Sequence, residues 1–184
     1  MAVLQFILFF MIAFTGSLYF RRGLPETIPV VFCLMGILLY PLAVIGHLEW
    51  IHGIGIGMAF LCAAFILCRR KLFSKELLSE ILLDPYFLAF LLILAALSLA
   101  VSFRQVLEWD AYNFWAADVK SLFFRNGFAP KYLNVAPAFG DYPPCVQLLL
   151  WWFVSPLKEW NEGVVFSGYI LFGASSRCFF AKRQ

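Results

Sequence analysis

Apolar residues run through this chain in long, nearly unbroken stretches, without the short alternation of a half-buried sheet. A helix needs about 20 apolar residues to cross the hydrocarbon core of a bilayer. Residues 2–20, 28–46, 51–68 and 86–103 each come close to that length and read as four transmembrane spans. Asp84-Pro85 is a start signal for the fourth, because Asp can cap a first turn and proline is tolerated there. Pro41 lies inside the second span and is expected to kink it. Residues 144–157 and 163–176 are apolar but short, broken by Pro156, Lys158, Glu159 and Glu162, and predict a fifth span and a sixth. Ser74 to Glu80 predicts a short amphipathic piece between the third and fourth. The fold class expected is all-α: a polytopic transmembrane helix bundle forming a single membrane domain, with one large loop over 104–143.

That loop holds its own helical pattern. From Leu107 to Phe124, Ala111, Phe114, Trp115, Val119, Leu122 and Phe123 recur at three- and four-residue steps. At roughly 100° per residue, Asp110, Asn113, Ala117 and Lys120 fall in one quadrant beside the stripe. Such a helix is expected to lie in the membrane interface, aromatics down, with Asp110 facing a cavity or water. Gly127 and Pro130 end it, and Gly140-Asp141-Tyr142-Pro143-Pro144 marks the return to the bilayer.

Composition places the chain in lipid. Of its 184 residues, 63% are hydrophobic and 14% charged, too apolar for a globule this small to hide. The net charge of +3 comes from short basic clusters beside apolar runs, a pattern that sets membrane orientation and gives no sign of nucleic-acid binding. Arg21-Arg22 and Arg69, Arg70, Lys71 and Lys75 mark one side as cytoplasmic, while the 47–52 turn has no Lys or Arg. The N-terminus and the 104–143 loop are then expected outside. In the loop, Arg104, Lys120, Arg125 and Lys131 are balanced by Glu108, Asp110, Asp118 and Asp141. No basic residue precedes the first apolar run, so it reads as a retained span and not as a secretory signal. Cys33, Cys62, Cys68, Cys145 and Cys178 form no CxxC and no metal-ligand spacing.

His47, Glu49 and His52 have the residue types of a metal site but match no zinc template, and a polar interfacial turn anchored by Trp50 is the better reading. The G-xxx-G step from Gly53 to Gly57 permits close helix approach. Packing within the chain is the expected use, and self-association stays open. The Arg69-Lys75 cluster is suited to attract anionic lipids.

The Glu108-Trp109-Asp110-Ala111-Tyr112-Asn113-Phe114-Trp115 segment, then Lys120, then Asp141-Tyr142-Pro143-Pro144 resemble the polytopic GT-C glycosyltransferases, which include protein mannosyltransferases and lipid-A aminoarabinose transferases. The resemblance covers about residues 104–150 and implies transfer of a sugar from a polyprenyl-phosphate-linked donor to an extracytoplasmic acceptor. In the family, the first large extracytoplasmic loop carries an acidic pair that activates the acceptor or holds a divalent cation. Carried over, Asp110 is the candidate base or metal-contacting carboxylate and Glu108 the second acid. Lys120 and Arg125 are candidates for the lipid phosphate, and Asn113, Trp115, Asp141 and Tyr142 for further substrate contact. The implied setting is the bacterial inner membrane, with membrane lipids and the lipid-linked sugar as partners.

Two departures stand beside this resemblance. Family members are usually much longer, and their loop follows the first span, whereas here four spans precede it. The tail from Ala174 to Gln184 completes neither a span nor a soluble domain and reads as the end of an incomplete enzyme. The rival reading is a non-catalytic polytopic protein, an assembly or transport subunit whose loop is an interfacial anchor.

Overall fold

The computed structural model describes residues 2–70, 73–101, 115–128 and 144–182. Eight helices follow one another among them: α1 (Ala2–Phe20), α2 (Leu24–Val44), α3 (Trp50–Arg69), α4 (Lys75–Leu82), α5 (Pro85–Val101), α6 (Ala116–Arg125), α7 (Cys145–Val154) and α8 (Glu162–Lys182). No strand occurs among the described residues. By length and composition α2 and α3 can each cross a bilayer, and α4 with α5, bent by 44°, makes a third crossing if the pair is one span. The four long helices expected over 2–20, 28–46, 51–68 and 86–103 therefore exist with boundaries shifted by a few residues.

Local chemistry explains where they start. Ser74 Oγ accepts the Leu77 amide at 3.1 Å, capping α4. Asp84 Oδ1 accepts the Tyr86 amide at 2.9 Å, and Pro85 occupies the first position of α5 as expected. Both Pro29 and Pro41 lie inside α2, which nevertheless remains one helix.

α1 and α3 run parallel. Gln5 Nε2 and His52 Nδ1 meet at 2.8 Å near their beginnings, and Tyr19 and Phe65 have ring centroids 5.8 Å apart near their ends. α2 returns between those ends. One end of the bundle thus carries the α1–α2 and α4–α5 turns, and the other carries the α2–α3 turn.

The expected span 144–157 is different in kind. Its helix, α7, has ten residues and is about 15 Å long, half the thickness of the hydrocarbon core. Every side chain from Gln147 to Val154 is buried. Pro156 stops the helix, while Ser155 closes its last turn by donating its amide to Trp151 O at 2.8 Å and its hydroxyl to Trp152 O at 3.0 Å. Residues 163–176 belong to the longer α8, whose start is capped by Asn161 Oδ1 accepting the Val164 amide at 3.0 Å.

An aromatic core joins these elements. Phe153 of α7 lies 4.6 Å from Phe6 and 6.0 Å from Phe9 of α1, and 6.4 Å from Phe32 of α2. Phe32 in turn meets Phe172 of α8 edge-on at 5.2 Å. Offset and edge-on pairs of this kind add to the area that they bury.

Close approach requires glycine at Gly127, Gly55 and Gly168 among the described residues. A Cβ on Gly127 would lie 2.7 Å from the Gly46 Cα, where the end of α6 crosses the α2–α3 turn. A Cβ on Gly55 would lie 2.8 Å from the Trp152 ring. Gly53 and Gly57 have nothing within 4 Å, so among the described residues only the glycine between them is used for packing. Gly127→Ala is expected to cost roughly 1–3 kcal/mol by overpacking against backbone. Gly57→Ala should be neutral or slightly stabilising, since a helix prefers alanine. Thermal unfolding in detergent checks both; equal losses would mean the α6–turn crossing is not tight.

Candidate functional site

The expected site residues divide into two groups. Glu108, Asp110, Asn113, Asp141 and Tyr142 lie outside the described residues, as do Arg104, Lys131 and Pro130. Trp115, Lys120 and Arg125 lie on or beside α6 and are described.

α6 closes with Asn126, whose left-handed backbone (φ 55°) lets its amide bond Leu122 O. Beyond it the Phe128 amide donates to Ala43 O at 3.0 Å, and the Leu48 amide donates to Asn126 O at 3.1 Å. These bonds fix α6 to the end of the bundle that carries the α2–α3 turn. Gly127 was legible as the helix terminator; the left-handed Asn126 before it was not.

Trp115 is half-buried, stacked on Tyr169 at 5.5 Å and edge-on to Phe166 at 5.6 Å. Lys120 is exposed, with its Nζ 5.8 Å from the centroid of Trp160, and Arg125 is exposed in the last turn. Ala117 and Lys120, which share the predicted quadrant of Asp110, both face outward. Trp115, Lys120 and Arg125 therefore occupy one short helix, but the tryptophan faces α8 while the two cations face away from the core.

The residue that sequence reasoning undervalued is Asp118. It had been counted only as a balancing charge, yet it is 3% exposed and sits in the middle of the buried face of α6 with Ala116, Val119 and Leu122. Its Oδ2 accepts a hydrogen bond from Gln147 Nε2 of α7 at 3.3 Å. Burial pushes its pKa up to about 6, an effect that the Gln147 bond partly offsets. The signal was available: Asp118 interrupts the stripe formed by Trp115, Val119 and Leu122, where a carboxylate is costly without a partner.

A second polar group occupies the same end. His52 turns inward, its ring 5.7 Å from that of Trp151 and 5.8 Å from that of Trp152. Gln5 Oε1 and the Nε1 atoms of both tryptophans are buried with no hydrogen-bond partner among the described residues. His47 instead pairs with Glu49 at 3.0 Å and stacks on Trp50 at 4.6 Å. The His47 bond holds the exposed Glu49 carboxyl below its usual range. The trio considered as a metal site is thus divided between a surface pair and an inward-facing ring. No group of three His, Cys, Asp or Glu that could hold a metal ion forms among the described residues. Cys33, Cys62, Cys68 and Cys145 are free thiols.

The chain matches no protein-family model, no curated protein and no solved structure.

The raised pKa of Asp118 has a signed consequence for stability. The folded state holds the proton more tightly than the unfolded chain, whose Asp titrates near 3.9. Asp118's contribution to stability is therefore fully present below about pH 4 and is lost as pH rises through 6. Asp118→Asn should flatten that decline and raise stability at pH 8 by on the order of 2–3 kcal/mol. Melting curves of both proteins across pH 4–8 check this; parallel profiles would show that Asp118 is not the titrating group.

Proposed function

We propose that this chain is a membrane glycosyltransferase of GT-C type, transferring a sugar from a polyprenyl-phosphate-linked donor to an extracytoplasmic acceptor. The supporting observation is the acidic Glu108-Trp109-Asp110 segment leading directly into α6, which is tied to the bundle end with Lys120 and Arg125 exposed. In this reading the chain crosses the bacterial inner membrane five or six times and presents the 104–143 loop on the extracytoplasmic side. That end of the bundle also carries the α2–α3 turn, which has no Lys or Arg.

The residue types suit the reaction. The Asp110 carboxylate accepts the proton of the acceptor hydroxyl, and the freed oxygen attacks the anomeric carbon. The bond from that carbon to the lipid phosphate breaks, and the electron pair leaves on the phosphate. Lys120 and Arg125 offer positive charge to the departing group. Asp118, enclosed between α6 and α7, does not touch substrate in this scheme; it is a positioning residue that holds α6 against the bundle through Gln147.

A second reading, a non-catalytic assembly subunit, draws on a specific observation. The Trp115–Tyr169 stack and the Asp118–Gln147 bond both spend loop side chains on internal packing. Transfer of radiolabelled sugar from a polyprenyl-phosphate donor, measured in proteoliposomes, separates the two. The transferase reading expects turnover that Asp110→Asn lowers at least about 100-fold. Turnover unchanged by that substitution removes the proposed base. Absence of both turnover and saturable binding of the polyprenyl-phosphate donor by the wild-type protein, with the fold intact by melting, favours the subunit.

A further inference from the structure

The end of the bundle opposite α6 carries two recesses that the proposed sugar transfer does not use. Between the α1–α2 turn and the α4–α5 junction lies a cavity of about 500 Å³ lined by Arg21, Arg22, Ser79, Glu80, Asp84 and Tyr86. Directly beside it an apolar groove of about 320 Å³ runs between α1, α4 and α5, bounded by Phe10, Phe14, Leu24, Leu82, Phe87 and Leu91. Their linings are adjacent along the chain: Leu24 follows the cavity residue Gly23, Leu82 sits between Ile81 and Leu83, and Phe87 follows Tyr86.

We propose that this composite site holds one membrane phospholipid with an ammonium-bearing headgroup, its phosphate in the cavity and one acyl chain in the groove. Length supports the assignment. Phe10 lies eleven residues before Arg21 along α1, a rise of roughly 16 Å at 1.5 Å per residue. One leaflet contributes about half of the roughly 30 Å hydrocarbon core. The groove therefore follows a chain through one leaflet while the cavity stays at headgroup level.

Charge selects the headgroup. Arg21 is exposed and has no ion pair among the described residues; Arg22 reaches Glu26 at a loose 3.7 Å and is 67% exposed. These two guanidiniums offer paired donors to a phosphodiester. Glu80, exposed on the α4 side and not paired with either arginine among the described residues, faces the same space with a carboxylate. A purely anionic lipid would satisfy the arginines and oppose Glu80. A lipid with phosphate and primary ammonium, as in phosphatidylethanolamine, satisfies both. Arginines at a helix end are enough to fix membrane orientation, but orientation requires neither a cavity nor a carboxylate across from them.

The test is the melting temperature of the purified full chain in detergent, titrated with phosphatidylethanolamine, phosphatidylglycerol or the soluble headgroup phosphoethanolamine. The proposal expects phosphatidylethanolamine to stabilise at concentrations about tenfold lower than phosphatidylglycerol, and phosphoethanolamine to have no effect in the same range. Arg21→Gln should abolish the phosphatidylethanolamine response. Glu80→Gln should remove the preference between the two lipids while keeping the response. Leu91→Trp, which fills the groove from an exposed position, should weaken both lipids. Equal stabilisation of wild type by the two lipids would overturn the headgroup assignment. Matching stabilisation by phosphoethanolamine would show a soluble phosphate site and overturn the lipid. Responses unchanged in Arg21→Gln would place the effect elsewhere. Sugar transfer does not enter any of these readouts, so this outcome and the fate of the transferase reading are separable.

Discussion

A helix of ten residues cannot face lipid at both ends, because its terminal amides and carbonyls find no partner in hydrocarbon. α7 is such a helix, and the bundle is arranged to enclose it. Phe153 supplies the meeting point of α1, α2 and, through Phe32, α8. Trp152 fills the space left by Gly55 of α3, and a Cβ on Gly168 of α8 would come within 2.8 Å of Phe153. Gln147 anchors α6 through Asp118. Removing α7 would leave five other helices without their common neighbour, so its burial is the condition under which the remaining contacts exist together.

The same enclosure explains why polar atoms are tolerated inside. Gln147 and Trp151 lie one turn apart on α7, so the Asp118 bond and the His52 stack share a face of one short helix. A buried polar group is expensive unless paired, and Asp118 meets that cost by keeping its proton up to about pH 6 and by accepting from Gln147. Its counterpart near α1 meets it less completely: Gln5 spends its amide nitrogen on His52 while Oε1 is left without a protein donor among the described residues. Polar content is thus concentrated around α7 at the end of the bundle where α6 docks.

The long helices were legible because lipid imposes a simple length rule on apolar runs; α2 and α3 meet it alone, and α5 meets it only together with α4. The start of α5 at Asp84-Pro85 was legible for an equally local reason, whereas the Ser74 cap appears only in the structure. α7 was not legible, since eight successive buried side chains look the same in sequence whether lipid or protein surrounds them. Only Pro156 and the charges after it, Lys158, Glu159 and Glu162, hinted at an early stop. Asp118 is hidden in the near-neutral charge balance of the loop and stands out only around the helix, on the buried face of α6 with Ala116, Val119 and Leu122. His52 was grouped with His47 and Glu49 by proximity along the chain, although two residues of helix separate it from Trp50's exposed side and turn it inward. Asp110, Glu108 and the Asp141-Tyr142 pair are read from sequence alone.

The distribution of charge along the long helices bears on the choice between function classes. Transport pathways place ionisable side chains within the membrane, facing a cavity or one another. In α1 and α5 there is no Asp, Glu, Lys or Arg; in α2 and α3 the residues of that kind are Glu26 and Arg69, each in a terminal turn. The buried polar pair Ser17–Thr27, 2.8 Å apart, likewise sits beside the α1–α2 turn and is bonded back to Ala13 O. In α1, α2, α3 and α5 the Asp, Glu, Lys and Arg residues therefore stand only in terminal turns, with the aromatic core between them. The action proposed above, on headgroups and lipid-linked substrates, would fall at the two ends of the bundle, because Phe9, Phe32, Phe153 and Phe172 fill the interval between them.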